Sequence, residues 1–286
     1  MSRDGSSGVA TIPGRPEADS GAVVTVPAVL TLMRLSLERI IRGRRLVVLA
    51  VLFLIPAGIA LLARHYNPEE DISGGVRELL LFFLIPNALV PFAALMLGSG
   101  QIQDEVEEQT LTYLLIRPLP RWLIYVVKAA ATALVAAGLT GVFTLITVAA
   151  IYLNNPLVRE PVTPGFAVRI TGLLVLASVA YSALFTALGV FFKRALVLGM
   201  AYILAFEGIF ANVDFVIRKA TVMYYTRVLA ERWLGIHNAG WMIDTKDAPT
   251  GVQALLTLLV AILLATLVAA VRFTTREWRL KTPEGG

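Results

Sequence analysis

The sequence predicts an all-α polytopic membrane protein with six transmembrane helices. Three observations carry that prediction. The chain has 286 residues, is 57% hydrophobic and only 16% charged, where an ordinary soluble domain is about a quarter charged. The apolar residues gather into six runs of the length that crosses a hydrocarbon core of about 30 Å. A basic amphipathic stretch precedes the first run, a common arrangement at a membrane surface.

Residues 1–26 open with "MSRDGSSGVATIPGRPEADSGA", which is Gly, Ser, Pro and charge without an apolar core. This stretch lacks the h-region of a cleavable signal peptide and reads as a disordered cytoplasmic tail, leaving targeting to the first span. Residues 27–45 change character. "PAVLTLMRLSLERIIRGRR" places Leu30, Met33, Leu37 and Ile40/Ile41 on one helical face and Arg34, Glu38, Arg42 and Arg45 opposite. Such a helix lies in the headgroup plane.

Residues 46–273 hold the six spans: Leu46–Ala63, Leu79–Gly98, Ala129–Leu153, Ile170–Phe192, Ala195–Val216 and Val252–Val271. Pro86 and Pro91 predict a distorted second span, tolerated where neighbours satisfy the freed backbone groups. Glu207, Asn212 and Asp214 interrupt the fifth. Residues 274–286 form a C-terminal cytoplasmic tail. With the N-terminus inside, sixteen of the 25 Lys and Arg fall on the inner side against nine outside, which predicts two cytoplasmic termini. The formal charge of +5 and the pI of 9.6 then follow from inner loops. No basic patch is interleaved with aromatics, so no nucleic-acid partner is expected. The absence of Cys excludes disulfides, thiolate metal sites and a cysteine nucleophile.

Between the second and third spans lies "DEVEEQTLTYLLIRPLPR", Asp104–Arg121. It cannot be buried in lipid, because each mid-bilayer carboxylate costs about 2.5–3.5 kcal/mol. Asp104 and Glu107 have capping-box spacing, and Glu105, Glu107 and Glu108 suit the positive end of a helix dipole. Pro118 stops the helix near Arg117. The bland reading is a solvated turn joining two spans.

From Glu105 to Arg121 the pattern is Glu-x-Glu-Glu-Gln-Thr-Leu-x-x-Leu-Leu-x-x-Pro-x-x-Arg, with Lys128 seven residues later. This resembles the cytoplasmic signature of type-2 ABC exporter permeases. Thr110, Leu111, Leu114, Leu115, Pro118, Arg121 and Lys128 match in place, while Gln109 stands where the family carries Gly. The resemblance extends to the in-plane helix, the six spans and a half-inserted, re-entrant outer segment between spans five and six. It implies an ATPase-coupling helix formed by Glu105, Glu107, Glu108, Gln109, Thr110, Leu111, Tyr113, Leu114, Arg117, Pro118 and Arg121. That helix would sit in a groove of an ABC-type ATP-binding subunit. A second permease chain would complete the pathway, in a bacterial-type inner (plasma) membrane. A phosphate-binding loop needs a Gly-Lys-Ser/Thr step, and none of the five lysines follows Gly. ATP and Mg therefore belong to the partner, and this chain is expected to bind no cofactor and to be no enzyme.

Glu207 has two readings: a substrate or gate contact, or a carboxylate near water paired with Arg218 or Lys219. Ser178, Ser182 and Thr186 repeat every four residues on the fourth span, as Ala129, Ala133, Ala137 and Gly141 do on the third. These stripes read as a translocation face or as ordinary helix packing. His65 and His237 lack partners at ligand spacing, so no metal is expected. Two rivals stand beside the exporter. A membrane-embedded enzyme would need a nucleophile with its base or a metal cluster; two outer histidines argue against it. An ion-gradient secondary transporter would show internal repeats and paired broken spans, and no repeat is evident.

Overall fold

The computed structural model describes residues 26–67, 73–107, 119–153, 164–212, 216–235 and 248–276, with the backbone alone at 73, 102–107, 212 and 216. Every element among them is helical. Helix α1 (Val26–Arg42) turns at Gly43 into α2 (Arg44–Tyr66). The second span combines α3 (Ser73–Arg77), a π-helical stretch Glu78–Leu89, and α4 (Val90–Glu107). Then come α5 (Arg121–Tyr152), α6 (Pro164–Phe191) and α7 (Ala195–Tyr202), which widens into a π turn, Ile203–Ile209. Short 3-10 turns, Phe210–Asn212 and Val216–Ala220, lead to α8 (Val222–Leu234), and α9 (Gly251–Thr275) closes the bundle.

Five helices are long and apolar enough to cross a membrane: Arg44–Tyr66, Gly74–Gln101, Arg121–Tyr152, Pro164–Phe191 and Gly251–Thr275. Each contains most of one predicted span. The predicted fifth span is shorter, because its apolar helix Ala195–Ile209 covers only about 22 Å at 1.5 Å per residue. Its axis loosens where Glu207 is drawn sideways into a polar cluster described below.

Contacts between helix ends give the bundle an up–down alternation. At one end, α1 lays Leu32 against Leu119, Ile124 and Val127 at the start of α5. At that same end Tyr125 packs on Phe273 near the end of α9, ring centroids 6.1 Å apart. The Arg276 guanidinium donates to the Val190 carbonyl, joining the ends of α9 and α6. At the opposite end, Arg64 donates to the carbonyls of Ala150 (3.0 Å) and Leu153 (3.1 Å), closing the C-terminus of α5. Cations suit helix C-termini, where carbonyls lack intrahelical partners.

Helix α6 is the axle. It touches α4, α5, α7, α8 and α9 and is the most buried of the long helices, whereas α2 and α9 are the least. Rows such as Val47, Val51, Leu54 on α2 and Val260, Leu264, Val268 on α9 stay exposed. A continuous apolar surface of this extent is lipid-facing rather than wet. Helix α1 buries Leu32, Ser36 and Ile40. The predicted apolar face is therefore rotated: Leu30 and Ile41 are exposed, and Met33 and Leu37 are half-buried. The side of α1 that the bundle covers includes Ser36, so hydrophobicity alone misplaces it.

The second span is distorted as its prolines require. Pro86 and Pro91 lack the N–H of an α-helical ladder, and Asn87 donates from Nδ2 to the Phe82 carbonyl that Pro86 cannot serve, at 3.4 Å, and to the Phe83 carbonyl at 2.8 Å. The capping-box expectation at Asp104 fails: the backbone is helical from Val90 through Glu107, so Asp104 lies inside a helix rather than at its start. A helix already propagating out of the span overrides a local start signal, since elongation costs far less than nucleation.

Two glycines set the distance between α4 and α6. A Cβ at Gly98 would stand 3.0 Å from the Thr186 backbone nitrogen, and one at Gly189 would stand 3.1 Å from the Ser99 carbonyl oxygen. Gly98→Val is expected to destabilise the bundle by about 1–3 kcal/mol through overpacking, read as a lower unfolding temperature in detergent. Gly138→Ala, at a position with open space, is expected to be neutral or stabilising. Equal melting of the two variants would contradict this packing.

Candidate functional site

A buried polar constellation inside the described bundle assembles around Glu207, at the π turn following α7. Its carboxylate is 1% exposed. Oε1 accepts from the Tyr202 hydroxyl at 2.9 Å and from the Val222 N–H at 3.1 Å, and Oε2 accepts from the Met223 N–H at 3.3 Å. The next amide, Tyr224 N–H, donates to Thr221 Oγ1 at 3.2 Å. Thus the first three N–H groups of α8 are all satisfied, two by a distant carboxylate and one by the N-cap residue. A negative group at a helix N-terminus meets both the orphan donors and the positive dipole end.

Arg227, one turn into α8, is 5% exposed. It donates from Nη1 to the Ala211 carbonyl at 3.0 Å and from Nη2 to Asn87 Oδ1 at 3.1 Å. Asn87 therefore bridges the π stretch of the second span to α8. Tyr181 on α6 turns its hydroxyl toward the same carboxylate. Tyr181 and Phe185 stack at 6.0 Å, and Phe185 meets Tyr202 edge-on at 6.0 Å. The second span, α6, α7 and α8 thus converge on one buried charged cluster. The crevice beside Arg227, walled by Leu81, Phe82, Pro86, Met223 and Thr226, holds about 20 Å³, room for a water and not for a solute.

Glu207 therefore lies away from water, while the Arg218 guanidinium stands over the Tyr224 ring, 5.4 Å from its centroid. Ser178, Ser182 and Thr186 are fully buried, and no hydrogen bond satisfies their hydroxyls among the described residues. Thr140 and Thr144 on α5 are in the same condition. Thr186 backs onto Gly98, so at this position the stripe is in close helix contact. Of the residues singled out for ATPase coupling, Glu105 and Glu107 end α4 as helical backbone, and Arg121 begins α5, exposed. Glu108, Gln109, Thr110, Leu111, Tyr113, Leu114, Arg117 and Pro118 lie outside the described residues, as do the side chains of Glu105 and Glu107. Leu119, just past them, packs on Leu32 of α1. Lys128, the last residue of the motif, is buried in α5.

Sequence reading singled out Glu207 but missed its partners. Asn87 and Arg227 are 140 positions apart, and no local spacing links them. Removing the carboxylate in Glu207→Ala strands two amides and a phenol, at a cost of about 1–3 kcal/mol for each unsatisfied group. Amide hydrogen exchange over Val222–Leu234 is expected to accelerate in Glu207→Ala and less in Glu207→Gln, which retains one carbonyl acceptor. Unchanged exchange in the alanine variant would contradict the capping role.

A family model described as ABC-2 family transporter protein matches residues 30–278, which takes in α1 and all five membrane-length helices. No curated protein matches the chain. The match spans most of the chain and encloses the Glu105–Arg121 motif together with the packing that frames it. This chain belongs to the ABC-2 transporter family, as a multi-pass membrane permease.

Proposed function

We propose that the chain is the membrane subunit of an exporter, working as one of two permease chains driven by ATP hydrolysis in a separate ATP-binding subunit. The observation that carries this reading is the unbroken helix from Val90 to Glu107. It joins the charged motif to the second span without a flexible joint. A displacement of the motif by a partner would move α4 as a rod, and with it the contact to α6 at Gly98. Farther along the same span, Asn87 holds Arg227 of α8. The polar cluster thereby becomes the far end of the lever: Glu207 serves as a latch on α8, and Ser178, Ser182 and Thr186 form the face that repacks when the latch releases.

In this reading the short helix Ala195–Ile209 completes a sixth crossing. The ends of α6 and α9 share one end of the bundle, so the chain must pass to the other end between them. α1 lies in the headgroup plane, α8 belongs to a re-entrant outer segment, and both termini are cytoplasmic. Glu105, Glu107 and Glu108 would meet basic groups of the ATPase, where charge complementarity fixes register. ATP and Mg stay with the partner.

Glu105→Arg, co-expressed with the ATPase, is expected to weaken subunit association about ten-fold or more and to depress transport-coupled hydrolysis. Normal hydrolysis and normal transport in that complex would remove the main support for the lever. Transport that continues without the ATPase and collapses with an ionophore would instead select the ion-gradient alternative. Because the chain has no Cys, single cysteines report sidedness directly. In whole cells an impermeant maleimide is expected to label Asn238→Cys, and to label Thr110→Cys only after permeabilisation; the reverse pattern would invert the assignment.

A further inference from the structure

Leu95 of α4 is fully buried, and its isobutyl group is seated on Gly199 of α7. A Cβ at Gly199 would stand 2.2 Å from Leu95 Cδ1 and 3.3 Å from Cδ2 and Cγ, so any side chain there would have to displace the leucine. Gly199 also marks the junction where α7 widens. The Ile203 N–H, first of the π turn, is shared between the Gly199 and Met200 carbonyls. Tyr202 stands three residues beyond Gly199, a spacing that keeps the two on one helix face. Its hydroxyl donates to Glu207 Oε1 at 2.9 Å. A leucine of the second span thus touches α7 one turn before the phenol that holds the carboxylate on α8. The same span reaches α8 a second time, through Asn87 and Arg227 at 3.1 Å. Asn87 and Leu95 lie about two helical turns apart, so one span grips both supports of α8.

We infer that Leu95 is a positioning residue that transmits displacement of α4 to α7 and thereby to Glu207, with Gly199 as its socket. Two contacts of α4 differ in kind. At Gly98 no side chain projects from α4, which lies directly against the backbone of Phe185 and Thr186 on α6. At Leu95 a side chain projects into α7 instead. The two neighbours also differ in freedom. Helix α6 is enclosed by α4, α5, α7, α8 and α9, whereas α7 packs mainly on α4 and α6 and leaves Leu196, Val197 and Leu198 exposed on its outer side. Close-packed interiors transmit displacement because they hold little free volume, and the element with lipid at its back is the one that yields. A shift of α4 therefore slides past α6 and carries α7 with it. The contact belongs to the chain alone, while its part in coupling rests on the proposed lever.

The test follows amide hydrogen exchange over Val222–Leu234 in the full-length chain in detergent, first alone and then bound to the ATP-binding subunit. In the chain alone, Leu95→Ala is expected to accelerate exchange about five-fold, within the coupling range of residues in one contact network. Leu97→Ala, the same truncation on α4 but at the α1–α2 corner, should change it less than about two-fold. Leu95→Met, which conserves volume, should stay close to wild type. Gly199→Ala should also accelerate exchange, and adding Leu95→Ala to it should reverse part of that by clearing the socket. Equal effects of the two leucine truncations, or additive effects at Leu95 and Gly199, would overturn the contact. In the complex, ATP and Mg are expected to change α8 exchange in the wild-type chain, and Leu95→Ala should cut that response about five-fold with subunit association intact. A response of wild-type size in Leu95→Ala would overturn the transmission role and leave the lever standing. No response in the wild-type chain would defeat the lever and the transmission role together.

Discussion

The close approach of α4 to α6 at Gly98 and Gly189 is the constraint on which the rest of the bundle depends. In lipid there is no hydrophobic gain from pressing one apolar helix against another, so association rests on packing and hydrogen bonding. With backbone meeting backbone at these glycines, α6 becomes the element that every inner helix touches. The position of the α4 end, and hence of the charged motif beyond it, is inherited from that contact. The same pairing aligns Tyr181 and Phe185 of α6 with Tyr202 and sets the depth at which Glu207 is enclosed.

Much of the architecture was legible in the sequence because the bilayer imposes strict rules. Backbone groups must be satisfied within the helix and length must match thickness, so hydropathy alone located the five membrane-length helices, while their ends run up to eight residues beyond the predicted spans, as at Arg121. The errors have a common physical origin, the competition of distant structure with local signal. Asp104 and Glu107 carry capping-box spacing, yet a helix arriving from the second span runs straight through them. Leu30 and Ile41 are apolar but exposed, because α1 turns Leu32, Ser36 and Ile40 inward, Leu32 against the start of α5. The predicted fifth span is shortened where a carboxylate is recruited by an element 15 residues farther along the chain. Nothing near Glu207 in sequence announces that two backbone amides of α8 are its partners.

Charge is distributed through the bundle with a clear division of labour. At the corner of α1 and α2, Arg39, Arg44 and Arg45 are exposed beside the buried Ile40 and Leu97. Around Glu207 and Arg227 it is enclosed and consumed by backbone and side-chain groups, so it ties elements together without presenting a binding surface. Arg64 and Arg276 belong to a third kind, each closing the carbonyl end of a neighbouring helix. The end of α4 and the start of α5, which flank the acidic motif in sequence, share the end of the bundle where α1 and α2 meet.

The way α8 is held has a mechanical consequence. Its leading amides depend on an oxygen pair carried by another segment, and its only buried guanidinium among the described residues depends on an asparagine from a third. A displacement of an ångström or two would lengthen these contacts together rather than in succession. Such an element has no comfortable intermediate seat: it behaves as a catch, home or sprung, and small pushes on its supports are stored until it lets go.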